Sequence, residues 1–216
     1  MSVHSLDTAS PNRGMRRKAR TRRDLLAAAV AVFAEKGAYA ATVADIAARA
    51  DVGVGTVYLH FETKDALFEA VVDETAVGLK AAVDEARAAA ANPSEQTRLG
   101  TRAFCRFAQD HRELFKIVFG QGAHHSAIRR AQALFAADIE RTVREGIASG
   151  EFAAVEPAPA AQALVGMATQ VLDWWTEQDD VPMHLLEETL TTLSLTGLHP
   201  TAPAERSTAD KETHDV

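Results

Sequence analysis

Apolar residues recur at three- and four-residue spacing along most of the chain, and no segment alternates as a strand would, so the pattern predicts an all-α protein. Leu25, Leu26, Ala29, Val32 and Phe33 share one helical face behind Thr21-Arg22-Arg23-Asp24, a capping-box pattern, and Gly37 supplies the stop. Thr42-Val43-Ala44-Asp45 repeats the start signal for a short helix over 42–50. Asp51-Val52-Gly53 interrupts it, and a second short helix covers 54–60. Thr63 is placed to cap a helix beginning at Lys64, which turns Ala66, Leu67, Phe68, Val71 and Val72 inward and runs as far as Ala91 before Asn92-Pro93. Further helices are expected near 94–109, 112–119, 126–149, 157–177 and 182–196, with Pro157 and Pro182 near first helical positions. Residues 1–20 include Pro11, Asn12 and Gly14 without apolar periodicity and read as a flexible basic arm, while 199–216 read as a disordered tail.

Composition narrows the class. Alanine is abundant and aromatics make up 6% of residues, which favours helix over a sandwich or barrel. The single cysteine, Cys105, excludes a disulfide framework and a multi-cysteine metal site, and reads as a packed thiol rather than a sensor. Adjacent His124 and His125 do not share a helical face and lack a third ligand at metal spacing, so no metal or cofactor is expected. No run of ~18 apolar residues suits a membrane helix, and Met1-Ser2-Val3 does not open a signal peptide, so a cytoplasmic location is expected. The net charge is −7, yet the first 65 residues hold ten Lys/Arg against seven Asp/Glu, and the remainder thirteen against twenty-three. Arg13, Arg16, Arg17, Lys18, Arg20, Arg22 and Arg23 come with no acid between them. A basic leading segment on an acidic body fits a polyanion touched at one end, or simply a solvated tail.

Two short helices over 42–50 and 54–60 have helix-turn-helix spacing, which an ordinary helical hairpin would also show. The composition of the second helix favours the former. Only Val57 and Phe61 look obligatorily buried. Gly55 permits close approach, and Thr56, Tyr58 and His60 crowd hydrogen-bonding groups onto a segment too short to stand alone. Lys64 puts a cation at a helix N-terminus, a misfit that a bound phosphate would remove.

Residues 21–68 resemble the DNA-binding domain of the TetR family of bacterial transcriptional regulators. The resemblance rests on Phe33-Ala34-Glu35-Lys36-Gly37, on Thr42-Val43-Ala44-Asp45-Ile46-Ala47, and on Val54-Gly55-Thr56-Val57-Tyr58-Leu59-His60-Phe61 followed by Lys64 and Leu67. It covers about a quarter of the chain and implies phosphate contacts from Thr42, Tyr58, His60 and Lys64, and base contacts from Val54, Gly55, Thr56 and Leu59. Many members carry serine where this chain has Gly53 and a polar residue at the position of Val54. Valine there implies contact with a thymine methyl rather than a bidentate hydrogen bond. Arg22, with Arg16, Arg17, Arg20 and Arg23, would reach either an adjacent minor groove or phosphates without regard to sequence.

The resemblance also implies a second domain over 69–198 that dimerises and holds an effector. Leu164, Ala168, Val171 and Trp175, then Leu186, Leu190 and Leu193, lie at helical spacing and suit either a homodimer interface or the domain's own core. Phe104, Phe107, Phe115, Phe119, Phe135, Met167 and Trp174, together with Leu114 and Val118, are candidates for the pocket, with His111 to orient a ligand. A mostly apolar set points to a small hydrophobic or aromatic effector. No nucleophile elbow, phosphate loop, His-Glu-x-x-His or paired carboxylates in an apolar setting occurs, which argues against an enzyme. The expected protein is therefore a repressor, a homodimer released by its effector from an inverted-repeat operator in double-stranded DNA.

Overall fold

The computed structural model describes residues 13–119 and 125–199, and all secondary structure among them is helical. In chain order the helices are α1 (Arg13–Ala40), α2 (Val43–Arg49), α3 (Val54–His60), α4 (Lys64–Arg87), α5 (Pro93–Asp110), α6 (Arg112–Phe119), α7 (His125–Ser149), α8 (Pro157–Thr176) and α9 (Met183–Leu198). The expected all-α architecture is present.

Local signals set most boundaries. Thr42 accepts a hydrogen bond from Asp45 N while the Asp45 carboxylate accepts one from Thr42 N, a complete capping box for α2. Thr63 caps α4 through Ala66 N, and Asn92 caps α5 through Glu95 N. Gly37, at φ 76° and ψ 150°, breaks the helical path of α1 in a region of backbone space that is essentially restricted to glycine. Asp51 takes φ 53° in the turn between α2 and α3, as a short polar side chain can.

Two boundaries differ from expectation. The first helix starts at Arg13, not at Thr21, so residues 13–20 are helical rather than a flexible arm. Thr21 lies inside the helix, and its hydroxyl donates back to Arg17 O at 3.1 Å. Arginine, lysine and alanine are good helix formers, and this segment needs no apolar face because all of 13–20 is exposed. Residues 1–12 and 200–216 lie outside the described residues. The fourth helix ends at Arg87 rather than Ala91.

Two cores organise the molecule. Leu25, Ala29 and Phe33 of α1 pack with Ile46, Val57, Leu67 and Phe68, the Phe33 and Phe68 rings lying 5.5 Å apart. Leu114, Ile117 and Val118 of α6 and Ala127 of α7 join this same cluster. The boundary expected between residues 68 and 69 therefore falls inside a continuous helix, and α6 packs onto the N-terminal unit. The second core gathers Leu79, Val83, Cys105, Phe115, Leu172, Trp175, Leu186 and Leu190 from α4, α5, α6, α8 and α9. A smaller one joins Val143, Phe152, Leu195 and Leu198 at the far end. A cation secures the C-terminal end of α8: the Arg112 guanidinium lies 4.4 Å from the Trp175 ring centroid and donates to the carbonyls of Trp175, Thr176 and Gln178.

Candidate functional site

The helix α3 is held by its two apolar anchors. Val57 and Phe61 are buried four residues apart, and everything between them on the other face is open. Val54, Tyr58 and Leu59 are exposed, Leu59 to 80%, and a Cβ placed on Gly55 would meet no atom within 4 Å. Thr56 and His60 are half-buried at the edge of this face. So much uncovered apolar surface on a seven-residue helix costs stability unless something covers it.

Positive charge borders this face. The Arg22 guanidinium sits 4.6 Å from the Phe61 ring centroid, and the basic residues of the first turns of α1 are exposed. Burial, reinforced by the charges of Lys18 and Arg22, lowers the His60 pKa below the ordinary histidine value, which favours the neutral ring near neutral pH. The first turns of α1 thus set their positive charge beside the neutral end of α3.

Two residues expected at phosphates have other work. All three polar bonds of Lys64 Nζ go to main-chain carbonyls, those of Ala38, Tyr39 and Ala41, each at 2.9 Å. The cation at the N-terminus of α4 is thus met by carbonyls at the end of α1 and just beyond it. The Thr42 hydroxyl donates to Asp45 Oδ2 at 2.7 Å while capping α2. Asp45 is further bound by Lys36 Nζ at 2.6 Å, and chiefly through this contact its carboxyl is lowered to a pKa of about 2. Residues 36–64 are therefore tied into a frame beneath α3.

The second site is an elongated cavity of about 160 Å³. One wall is α4, from Val72 through Thr75, Leu79 and Val83 to Arg87. The others come from Phe104 of α5, Phe115, Val118 and Phe119 of α6, Ile128, Phe135 and Ile139 of α7, and Met167 of α8. Six of the pocket candidates, Phe104, Phe115, Val118, Phe119, Phe135 and Met167, line this space. Four do not, among them Leu114, which packs in the N-terminal core. The Phe107 ring stacks on His111 at 4.1 Å, outside the lining, and Trp174 turns outward, 49% exposed.

Of the two roles open to the apolar stripes, the chain's own core accounts for several residues. Trp175, Leu186 and Leu190 are buried within the chain's own core, and Val171 packs against that core. Leu164 and Ala168 face the cavity, as does Leu190. Only Leu193, 50% exposed, remains free to meet another subunit. Beside it, Leu185 of α9 and Gly166, Gln170 and Trp174 of α8 are exposed. Spacing identified apolar faces one helical step away from the uncovered ones.

The sequence reading missed Arg87, whose side chain lines the cavity. The signal was present: Leu79, Val83 and Arg87 stand four apart, so the arginine continues a buried stripe. Cys105 is buried, and burial with the nearby Glu187 charge pushes its thiol pKa up to about 12, consistent with a packed, unreactive group. Among the described residues no group of three or more His, Cys, Asp or Glu could hold a metal ion, and no helix is long and apolar enough to cross a membrane.

Comparison with known proteins places this arrangement. Residues 25–71 match the model for bacterial regulatory proteins of the tetR family, and residues 90–198 match the model for the tetracyclin repressor-like C-terminal domain. The chain belongs to the TetR family. Family members and relatives are transcriptional regulators rather than enzymes. An uncharacterized HTH-type transcriptional regulator of Bacillus subtilis, YhgD, is 26% identical over 160 residues, which is 71% of this chain and 83% of that protein. An HTH-type transcriptional repressor of Mycobacterium tuberculosis is 48% identical over 63 residues, covering 27% of this chain and 34% of the repressor. Two solved structures share the fold at 22% identity. The fatty acid degradation regulator FadR of Bacillus halodurans matches with a TM-score of 0.75 over 83% of this chain and 97% of its own. FadR of Bacillus subtilis, solved in complex with stearoyl-CoA, matches with a TM-score of 0.73 over 82% and 99%. As a TetR-family regulator, the protein binds DNA.

Proposed function

We propose that this TetR-family regulator is a cytoplasmic repressor that acts as a homodimer on an inverted-repeat operator and leaves it when a small hydrophobic effector enters the cavity. Val54, Gly55, Thr56 and Leu59 face base edges in the major groove. Tyr58, His60 and Arg22 meet phosphates along with the basic start of α1. Lys64 and Thr42 act one step back, holding the frame that presents α3.

The observation that carries this reading is that α4 serves both sites. Its first turns bury Leu67 and Phe68 in the core beneath α3, and its later turns line the cavity from Val72 onward. Arg130 of α7 reaches the same helix, 3.3 Å from both Glu69 and Asp73. An effector that prefers a different setting of α4 therefore biases the spacing of the two recognition helices in a dimer, and operator affinity falls by that preference. The stearoyl-CoA held by a neighbour of the same fold supports an apolar occupant for the cavity.

Binding of the purified protein to duplex DNA flanking its own gene tests the reading. A sequence-preferring complex at an inverted repeat, dissolved by the apolar compound that copurifies with the protein, is the expected result. Equal affinity for every duplex across a salt titration would overturn it, as would an effector that tightens the complex.

A further inference from the structure

One end of the cavity carries the Arg87 guanidinium, which feels the charges of Asp84 and Asp138 but forms no ion pair with either. Arg87 Nε is sealed from solvent and lacks a hydrogen-bond partner among the described residues. The carboxylates that could answer it are engaged elsewhere: Asp138 lies 2.7 Å from Lys80 and 3.2 Å from Arg141, and Asp84 pairs with Lys80. Three cations, Lys80, Arg87 and Arg141, thus share two carboxylates. The surplus sits on the guanidinium that lines the cavity. A buried donor on a charged group left without a partner costs stability, and water or an anion entering the cavity would relieve that cost.

The neighbours of Arg87 are arranged for such a guest. A Cβ on Gly100 would fall 2.4 Å from Arg87 Nε, so only glycine leaves the guanidinium its place against α5. Thr97, Thr101 and Thr142 also line the cavity; the Thr97 hydroxyl donates to Pro93 O at 3.0 Å, and that of Thr142 lies 3.2 Å from both Asp138 O and Gln96 Oε1. Toward the other end Leu79, Phe115, Val118 and Val72 make the lining mostly apolar, with Thr75 turning its hydroxyl onto Val71 O at 2.7 Å. From Val72 to Arg87 the wall on α4 runs ~22 Å at the helical rise.

We infer that the cavity takes a monocarboxylate with a long aliphatic tail, its carboxylate paired with Arg87 and its tail directed along α4 toward the core beneath α3. A guanidinium edge matches a carboxylate in two parallel hydrogen bonds, and a surplus of one positive charge suits a single negative one. The inference rests on the reading of the cavity as the effector site and specifies which end of the effector is charged.

Calorimetric titration of the full chain with dodecanoate, dodecanol and dodecyltrimethylammonium, each below its micelle concentration, tests it. Dodecanoate is expected to bind about tenfold or more tightly than dodecanol, the value of a charge-assisted hydrogen bond, and the cationic amphiphile not at all. Arg87→Met should remove the preference for dodecanoate while leaving dodecanol affinity unchanged, and Arg87→Lys should keep part of it. Should Arg87→Met fail to fold, the head-group comparison on the native chain carries the test alone. Dodecanol bound as well as dodecanoate would overturn the inference and leave the effector cavity standing. Failure of all three to bind would remove the cavity reading and this inference together.

Discussion

Lys64 uses its ammonium on the main chain, and that assignment makes separate claims about stability and about DNA. Its three donors close the carbonyl-rich end of α1 at Ala38, Tyr39 and Ala41, just past the break at Gly37. Lys64→Met should therefore lower stability by about 1.5 kcal/mol, the scale of hydrogen bonds to a charged group partly open to water, read as a fall in Tm of a few degrees. A residue that only touched phosphate would leave Tm unchanged and reduce the salt slope of DNA binding by about one, so one calorimetric scan beside one salt titration decides the role. Asp45 carries a pH signature of its own. Lys36 and Thr42 hold its folded pKa at about 2, below the ordinary 3.8. A depressed carboxylate stabilises the fold above its unfolded pKa and loses that contribution as pH falls through the folded one. The contribution should be complete above pH 3.8 and vanish toward about 2. In acid denaturation Asp45→Asn should be less stable than the native chain at neutral pH and converge with it across that window.

At the scale of the element, α3 is best understood through what it gives up. Glycine in a helix costs up to ~1 kcal/mol relative to alanine, and nothing in the chain requires it at position 55, where a side chain would meet open space. The proposed seating of α3 against base edges would give it a role. Gly55→Leu should leave Tm unchanged or raised, while operator affinity falls at least tenfold in an anisotropy titration. Equal loss of both would mean that Gly55 serves packing within the chain. The same local character explains what could be read from the chain directly. The boundaries of α2, α3 and α4 follow from Thr42, Gly53 and Thr63, because caps are satisfied within a few residues of where they occur. The helical path of residues 13–20 carries no such signal, since a solvated turn of helix needs no apolar stripe to form. Trp174 and Trp175 show the harder limit. Adjacent positions on α8 point a third of a turn apart, and periodicity alone does not say which is covered by the chain itself; the structure buries Trp175 and exposes Trp174. Arg87 escaped for a related reason, since a charge on a helix reads as solvated until its neighbours are known to enclose it.

For the whole molecule the open question is what covers the outward faces of α8 and α9. Gly166, Gln170 and Trp174 on one helix and Leu185, Thr189, Thr192 and Leu193 on the other are exposed, and Glu188 is the one acidic residue among the exposed positions of α9. An apolar, nearly uncharged face of this kind resembles the centre of a permanent interface rather than a solvated surface. The proposed inverted-repeat operator adds an independent requirement, because one recognition helix per half-site needs two chains related by a two-fold axis. Leu193→Arg separates pairing from folding. The side chain is half-exposed in the isolated chain, so a charge there should leave the chain folded and helical, with Tm lowered only by the loss of the partner, whereas Leu190→Arg, aimed into the core, should unfold it. Static light scattering should then report the mass of one chain for Leu193→Arg and of two for the native protein. Loss of the second recognition helix should weaken operator binding by about 100-fold or more, the scale on which tethering two sites multiplies affinity, while leaving the affinity for an isolated half-site unchanged. A variant that still weighs as a dimer would place the two-fold axis on another surface, and the half-site spacing of the operator would have to be derived from there.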